Sequence, residues 1–275
     1  MSKALPLNYT PSISEWPIWK KLGALTGILA LAGIYAPIFW LMVMSVSGEP
    51  LSGIPGDFTG QWYNALATNT NWLWPLWLSV LLGIAVALTS MVCATLVGRA
   101  IPRIRHGKSA ILAVTLLPLM IPGVVVGTAL FLYLRVLLGL KMGMWSLFAG
   151  HLVWSFPFAL LAVLVVALRF DTRLLESGAD LGANAWQRFR DIEFPLLKDG
   201  IISGGLFAFL LSFNEIARSI YLRGRIETLP IYLWQQASTK TSNVPLIYSL
   251  NVIILIVSTV IVGIAFWLLF GRRDK

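Results

Sequence analysis

The chain has 275 residues, is 57% hydrophobic and only 12% charged, and has a mean hydropathy of +0.79. That composition excludes a soluble globular domain and makes the bilayer the solvent. The net charge of +9 calls for no nucleic acid, because the basic residues flank apolar runs, and a lone cysteine, Cys93, excludes an intrachain disulfide and a Cys-based metal site.

A helix crossing roughly 30 Å of hydrocarbon needs about 20 mainly apolar residues. Six stretches qualify: Leu22 to Val46, Leu73 to Val97, Ala110 to Leu134, Leu147 to Leu168, Leu196 to Leu222 and Val244 to Phe270. None shows the alternation of a membrane barrel strand, so the predicted fold is all-α, a polytopic integral membrane protein with six transmembrane helices.

Residues 1–21 precede the first span, residues 22–46 form it, and Lys20 and Lys21 sit at its entrance. Its apolar run is about twice a secretory h-region and no small-residue cleavage pattern follows, so it is expected to be retained. The loop from Ser47 to Trp72 carries Glu49 and Asp57 and no Lys or Arg, as suits an exported loop. Basic residues collect instead in alternate segments: Lys3, Lys20 and Lys21; Arg99, Arg103, Arg105 and Lys108; Arg169, Arg173, Arg188, Arg190 and Lys198; Arg272, Arg273 and Lys275. Fewer, namely Arg135, Lys141, Arg218, Arg223, Arg225 and Lys240, fall on the other side. Lys and Arg are retained in the cytoplasm, so both termini, including the tail 271–275, are predicted there.

Some motif-like fragments carry no chemistry. Gly107-Lys108-Ser109 resembles the end of a phosphate-binding loop, but Pro102 occupies the first glycine position and no strand precedes it. Asn8-Tyr9-Thr10 fits a glycosylation pattern on the predicted cytoplasmic side. With His106 and His151 as the only histidines, no metal centre is expected; no catalytic set can be assembled, and the chain is expected to bind no cofactor. Pro118 and Pro122 are predicted to kink the third span and shape a pathway.

Between the fourth and fifth spans lies a polar rod, residues 171–195. Asp171 or Thr172 can cap its start, while Leu174, Leu175, Gly178, Leu181, Ala185, Phe189 and Ile192 recur at three- and four-residue spacing. Gly182 is placed to end one helix in the left-handed region, and Asn184 with Gln187 forms a capping-box pattern that begins another. Pro195 suits the first turn of the next span. The acids Glu176, Asp180, Asp191 and Glu193 alternate with Arg173, Arg188 and Arg190, which fits a protein partner better than anionic headgroups; the alternative is an interfacial helix without a partner.

In the fifth span Gly200, Gly204 and Gly205 allow close helix approach, either within the chain or between subunits. Asn214 and Glu215 are predicted about 20 Å or more from the cytoplasmic end, where a carboxylate must pair or face water. They are expected either to line a water-filled cavity within the membrane or, for Glu215, to pair with Arg218.

The order Glu176, Gly182 six residues on, then Ile192-x-Phe194-Pro195 resembles the Glu-Ala-Ala … Gly … Ile-x-Leu-Pro signature of permease subunits of bacterial binding-protein-dependent ABC importers. Ser177 and Gly178 stand where that family has alanines, and Phe194 where it has leucine. Leu117-Pro118-Leu119-Met120-Ile121-Pro122-Gly123, Phe209 to Glu215, and Thr228-Leu229-Pro230-Ile231-Tyr232 are similar to the spermidine/putrescine permease subgroup.

The resemblance implies a type I importer fold over residues 72–270 in the inner membrane, with 171–195 as a coupling helix. Glu176, Ser177, Gly178, Ala179, Asp180, Gly182, Ala183, Ile192 and Pro195 would meet a cytoplasmic ABC ATPase dimer, which uses the ATP and Mg. It further implies a second permease subunit, with a heterodimer favoured, and an extracytoplasmic solute-binding protein. The implied solute is polyamine-like; ferric iron, phosphonate, amino acid or opine are alternatives. A secondary transporter would want internal repeats and acid–base relays that the sequence lacks.

Overall fold

A computed structural model describes residues 17–239 and 241–270. Asn8-Tyr9-Thr10, Lys3, Lys240 and the basic tail of Arg272, Arg273 and Lys275 lie outside the described residues. In chain order the helices are α1 (Ile18–Met44), α2 (Gln61–Thr68), α3 (Leu73–Ala100), α4 (Lys108–Met120), α5 (Gly123–Phe131), α6 (Met144–Ala167), α7 (Arg173–Asp180), α8 (Ala185–Gln187), α9 (Phe194–Phe213), α10 (Ser219–Leu222), α11 (Leu229–Thr239) and α12 (Val244–Phe270). Among the described residues, five helical stretches are long and apolar enough to cross a bilayer, and the bent pair α4–α5 makes a sixth span when counted as one.

One compact unit comprises residues 17–68 together with 242–257. Here α1 exposes nearly all its apolar side chains and buries only Met44 at its end. The loop that follows is folded rather than loose. Ser47 and Phe58 form an isolated antiparallel bridge, Trp62 Nε1 donates to Ser47 O at 2.8 Å, and Ser45 Oγ lies 2.8 Å from Tyr63 Oη.

The other unit, residues 69–239, 241 and 258–270, is built on α3, α6 and α9. Ala94, Leu160, Val163 and Ala208 are fully buried among them. The small residues explain the close approach. A Cβ on Gly200 would lie 2.9 Å from Ala162 O, and one on Gly204 would lie 2.9 Å from Ala159 O. The Gly200/Gly204 stripe therefore serves α6–α9 packing within the chain, where two backbones meet with no side chain between them.

Two spans depart from the sequence expectation. The third is not one kinked helix over Ala110 to Leu134: α4 and α5 meet at 99°. Pro118 is accommodated inside α4, and the break falls at Ile121 and Pro122. Ile121 is extended (φ −99°, ψ 131°), as steric pressure from a following proline demands. The fifth helix starts earlier and ends sooner than Leu196 to Leu222, running over Ala185–Phe213. Polar side chains stop it. Asn214 Nδ2 donates back to Leu210 O at 2.9 Å, and Glu215 Oε1 accepts the Arg218 N–H at 2.9 Å, which starts α10 instead of prolonging α9.

Candidate coupling segment and translocation site

The segment before α9 is a rigid helix–turn–helix held by local hydrogen bonds. Asp171, rather than Thr172, supplies the first cap, its Oδ1 accepting the Arg173 N–H at 3.0 Å. At the other end of α7 the Gly182 N–H bonds Ala179 O (2.9 Å) and the Ala183 N–H bonds Gly178 O (3.0 Å). This 5→2 and 6→1 pair is a Schellman closure, and it needs the left-handed φ of +82° found at Gly182. Asn184 and Gln187 then cap each other's backbone at 2.9 and 2.8 Å, the expected capping box.

A π turn over Arg188–Glu193 leads directly into α9, so the second arm of the turn is the start of the fifth span itself. Pro195 sits in the first turn of α9 as expected, and the wide turn before it absorbs the backbone bond it cannot make.

The apolar stripe divides into an inner and an outer part. Gly178 is buried, and a Cβ there would lie 2.8 Å from Ile192 Cδ1, so α7 packs tightly on the π turn. Arg188 Nη1 reaches Leu175 O across the same seam at 3.4 Å. Leu174 and Leu181, by contrast, face outward, Leu181 being 89% exposed. Glu176, Ser177, Ala179, Asp180 and Gly182 are exposed beside it, and Ala183 is half-buried.

Glu193 does not belong with those exposed acids. It is 3% exposed and takes Arg99 Nη2 at 2.7 Å, from the last turn of α3, and Arg103 Nη2 at 2.9 Å, from the short turn just after it. The Arg99 guanidinium also stacks over the Phe189 ring, 4.2 Å from its centroid. Two residues read as topology signals are thus a clamp joining the end of α3 to the helix–turn–helix. No local pattern reveals it, since the partners are 94 and 90 residues apart.

The second candidate site lies at the other end of α9, about 30 Å away for a 20-residue helix. A cavity of about 500 Å³ is lined by the broken third span (Met120, Pro122, Gly123), by Trp154 of α6, and by Asn214, Glu215 and Arg218. Asn214 is exposed; Glu215 is 6% exposed. Pro118 does not line it. Glu215 is not free: its Oε2 takes Arg218 Nη1 at 2.7 Å, and the Arg218 guanidinium stacks 4.3 Å from the centroid of the Trp154 ring.

Arg218 is therefore a buried internal cation rather than a loop charge. Behind it His151, fully buried, is held between Ser212 (2.9 Å) and Ser219 (2.8 Å), tying α6 to α9 and α10. Reading the sequence singled out neither Trp154 nor His151 for this role.

An all-helical membrane chain with a capped helix–turn–helix between spans and a cavity at a broken span has the build of the membrane-embedded subunit of a solute transporter. The chain belongs to the family of binding-protein-dependent transport system inner membrane components, whose pattern matches residues 105–273. It is a transmembrane permease subunit.

It is 30% identical to the spermidine/putrescine transport system permease protein PotC of Escherichia coli K12, over 87% of this chain and 90% of that protein. With PotC of Haemophilus influenzae the identity is 28% over 84% and 90%, and with the putrescine transport system permease protein PotI of Escherichia coli K12 it is 24% over 90% of each. The crystal structure of a bacterial ABC transporter involved in the import of the acidic polysaccharide alginate matches with a TM-score of 0.71, at 15% identity, over 94% of this chain and 96% of that one. At that identity the likeness bears on the fold.

Proposed function

We propose that this chain forms one half of the translocation pathway of an ATP-driven importer for a small, amine-bearing, polyamine-like solute. It catalyses no reaction. It takes mechanical work through residues 171–195 from a cytoplasmic ABC ATPase dimer, which binds and hydrolyses ATP with Mg, and it receives solute from an extracytoplasmic binding protein. A second, non-identical permease completes the pathway, and both termini lie in the cytoplasm.

The observation that carries the coupling role is the outward display of Glu176, Ala179, Asp180 and Leu181 on a turn locked by its own caps. A helix held at both ends moves as a body when a partner pushes it, and an exposed Leu181 beside carboxylates suits an apolar groove with basic rims. Pathway roles for Asn214, Glu215 and Pro122 are supported by their shared cavity. The amine preference is supported by the names of the polyamine permeases to which the chain is similar.

The test is uptake of labelled putrescine and spermidine by cells carrying the whole transporter. Replacing Glu176→Arg is expected to abolish uptake while the chain remains in the membrane and the ATPase no longer co-purifies. Undiminished uptake by that variant would refute the coupling role, and uptake of neither amine by the unmodified transporter would refute the solute class.

A further inference from the structure

An ion pair withdrawn from water is seldom worth more than an apolar pair of the same volume. An ionisable residue within a span is accordingly a candidate for the solute path, with its partner as the first question. Glu215 and Arg218 line the 500 Å³ cavity, and the pair is incompletely satisfied: Arg218 Nε is buried without a hydrogen-bond partner. The two contacts that Arg218 does make are those an organic cation seeks, a carboxylate oxygen at 2.7 Å and the face of an indole ring at 4.3 Å.

We propose that Glu215 and Trp154 form a subsite for an organic ammonium group, and that Arg218 is its built-in occupant, displaced when solute arrives. This deepens the amine reading given above and rests on it. Among the described residues, the lining holds no other Lys, Arg, Asp or Glu to compete for the pair. His151, on the neighbouring face, has both ring nitrogens taken by Ser212 and Ser219.

The local backbone permits the exchange. Arg218 follows the turn at Asn214–Ala217, where α9 has ended, and it packs on Gly123 at the start of α5, next to the break in the third span. A Cβ at Gly123 would lie 3.0 Å from Arg218 Nη1, so the guanidinium is seated closely against the glycine backbone. With solute absent, Arg218 neutralises Glu215 and denies the site to inorganic cations. When solute leaves, Arg218 closes the site again.

The experiment is equilibrium binding of radiolabelled putrescine to the assembled permease–ATPase complex in nanodiscs, without nucleotide or binding protein. Arg218→Met is expected to tighten binding at least tenfold, and adding Glu215→Gln or Trp154→Leu to it should remove that gain. Arg218→Gln removes the built-in cation while keeping a polar side chain; it is expected to tighten binding about threefold or more, and it answers the question should Arg218→Met fail to assemble. A pair that only supports packing predicts binding no tighter in either variant, and that result would overturn the proposal.

Methylguanidinium serves as a probe independent of the transported solute. Saturable binding to Arg218→Ala, lost on adding Glu215→Gln, is expected even if putrescine is not a substrate; its absence overturns the subsite. If putrescine binds no form of the complex while methylguanidinium binds as expected, only the solute class is overturned; putrescine that binds measurably but no more tightly in the variants overturns the subsite.

Discussion

Glu193→Gln is the perturbation that most directly tests how the coupling segment is tied to the membrane core. The carboxylate is 3% exposed and holds two charge-assisted hydrogen bonds, 2.7 Å to Arg99 and 2.9 Å to Arg103. Breaking a fully buried pair costs about 3–5 kcal/mol, because the surviving charge is stranded. Here the Arg99 and Arg103 side chains are 24% and 42% exposed, so water recovers part of their solvation. Glutamine also keeps one acceptor.

The expected loss is therefore about 2–3 kcal/mol, on the scale of one hydrogen bond to a charged group. Reversible denaturant titration in mixed micelles measures it. In an Arg99→Gln, Arg103→Gln background the same change should cost under about 1 kcal/mol, the difference being the coupling energy of the clamp. Transport per ATP hydrolysed by the assembled complex should fall as well, since α3 would no longer follow the coupling segment. A loss below about 0.5 kcal/mol, or an equal loss in both backgrounds, would refute the clamp.

Three further outcomes follow from the geometry. Gly182→Ala places a Cβ in open space but at φ +82°, so it should cost about 1–2 kcal/mol of backbone strain; uptake should rank Gly, Asn, Ala, Val at this position, and uptake indifferent to the residue would oppose it. Gly204→Leu forces a side chain onto the Ala159 backbone and should destabilise by about 2 kcal/mol or more, whereas Gly27→Leu on exposed α1, with nothing within 4 Å, should change stability by under about 0.5 kcal/mol in the same titration. Pro122→Ala restores a backbone donor and should let the 99° break open; spin labels at Val114 and Val125 would report a longer distance and uptake would drop, while an unchanged distance would show that the break does not depend on proline.

Features that arise within a few residues of chain were legible in the sequence. A run of about twenty apolar residues has only the bilayer as a solvent, so the number of spans and the all-α class follow from composition alone. The Gly182 closure and the Asn184–Gln187 cap are bonds over three to five residues, and their residue types announce them. The family signature rests on the same local chemistry, spaced by a turn of fixed length.

Tertiary structure decided what faces what. Lipid is as apolar as a packed interior, so hydrophobic periodicity, which marks the core side of a helix in water, is nearly silent within a span. The spacing of Gly200 and Gly204 allowed either an intrachain seam or a subunit interface, and packing against α6 settled it. Leu181 and Gly178 belong to one stripe, yet one is exposed and the other buried, because only Gly178 lies over Ile192. The Glu215–Arg218 pair, three residues apart, was among the sequence's expectations, but Glu193 and Trp154 acquired their roles from partners brought together by folding, Trp154 from Arg218 and Glu193 from arginines some 90 residues distant. A charge in a low-dielectric interior takes its meaning from its nearest counter-charge, and chain order does not encode that distance.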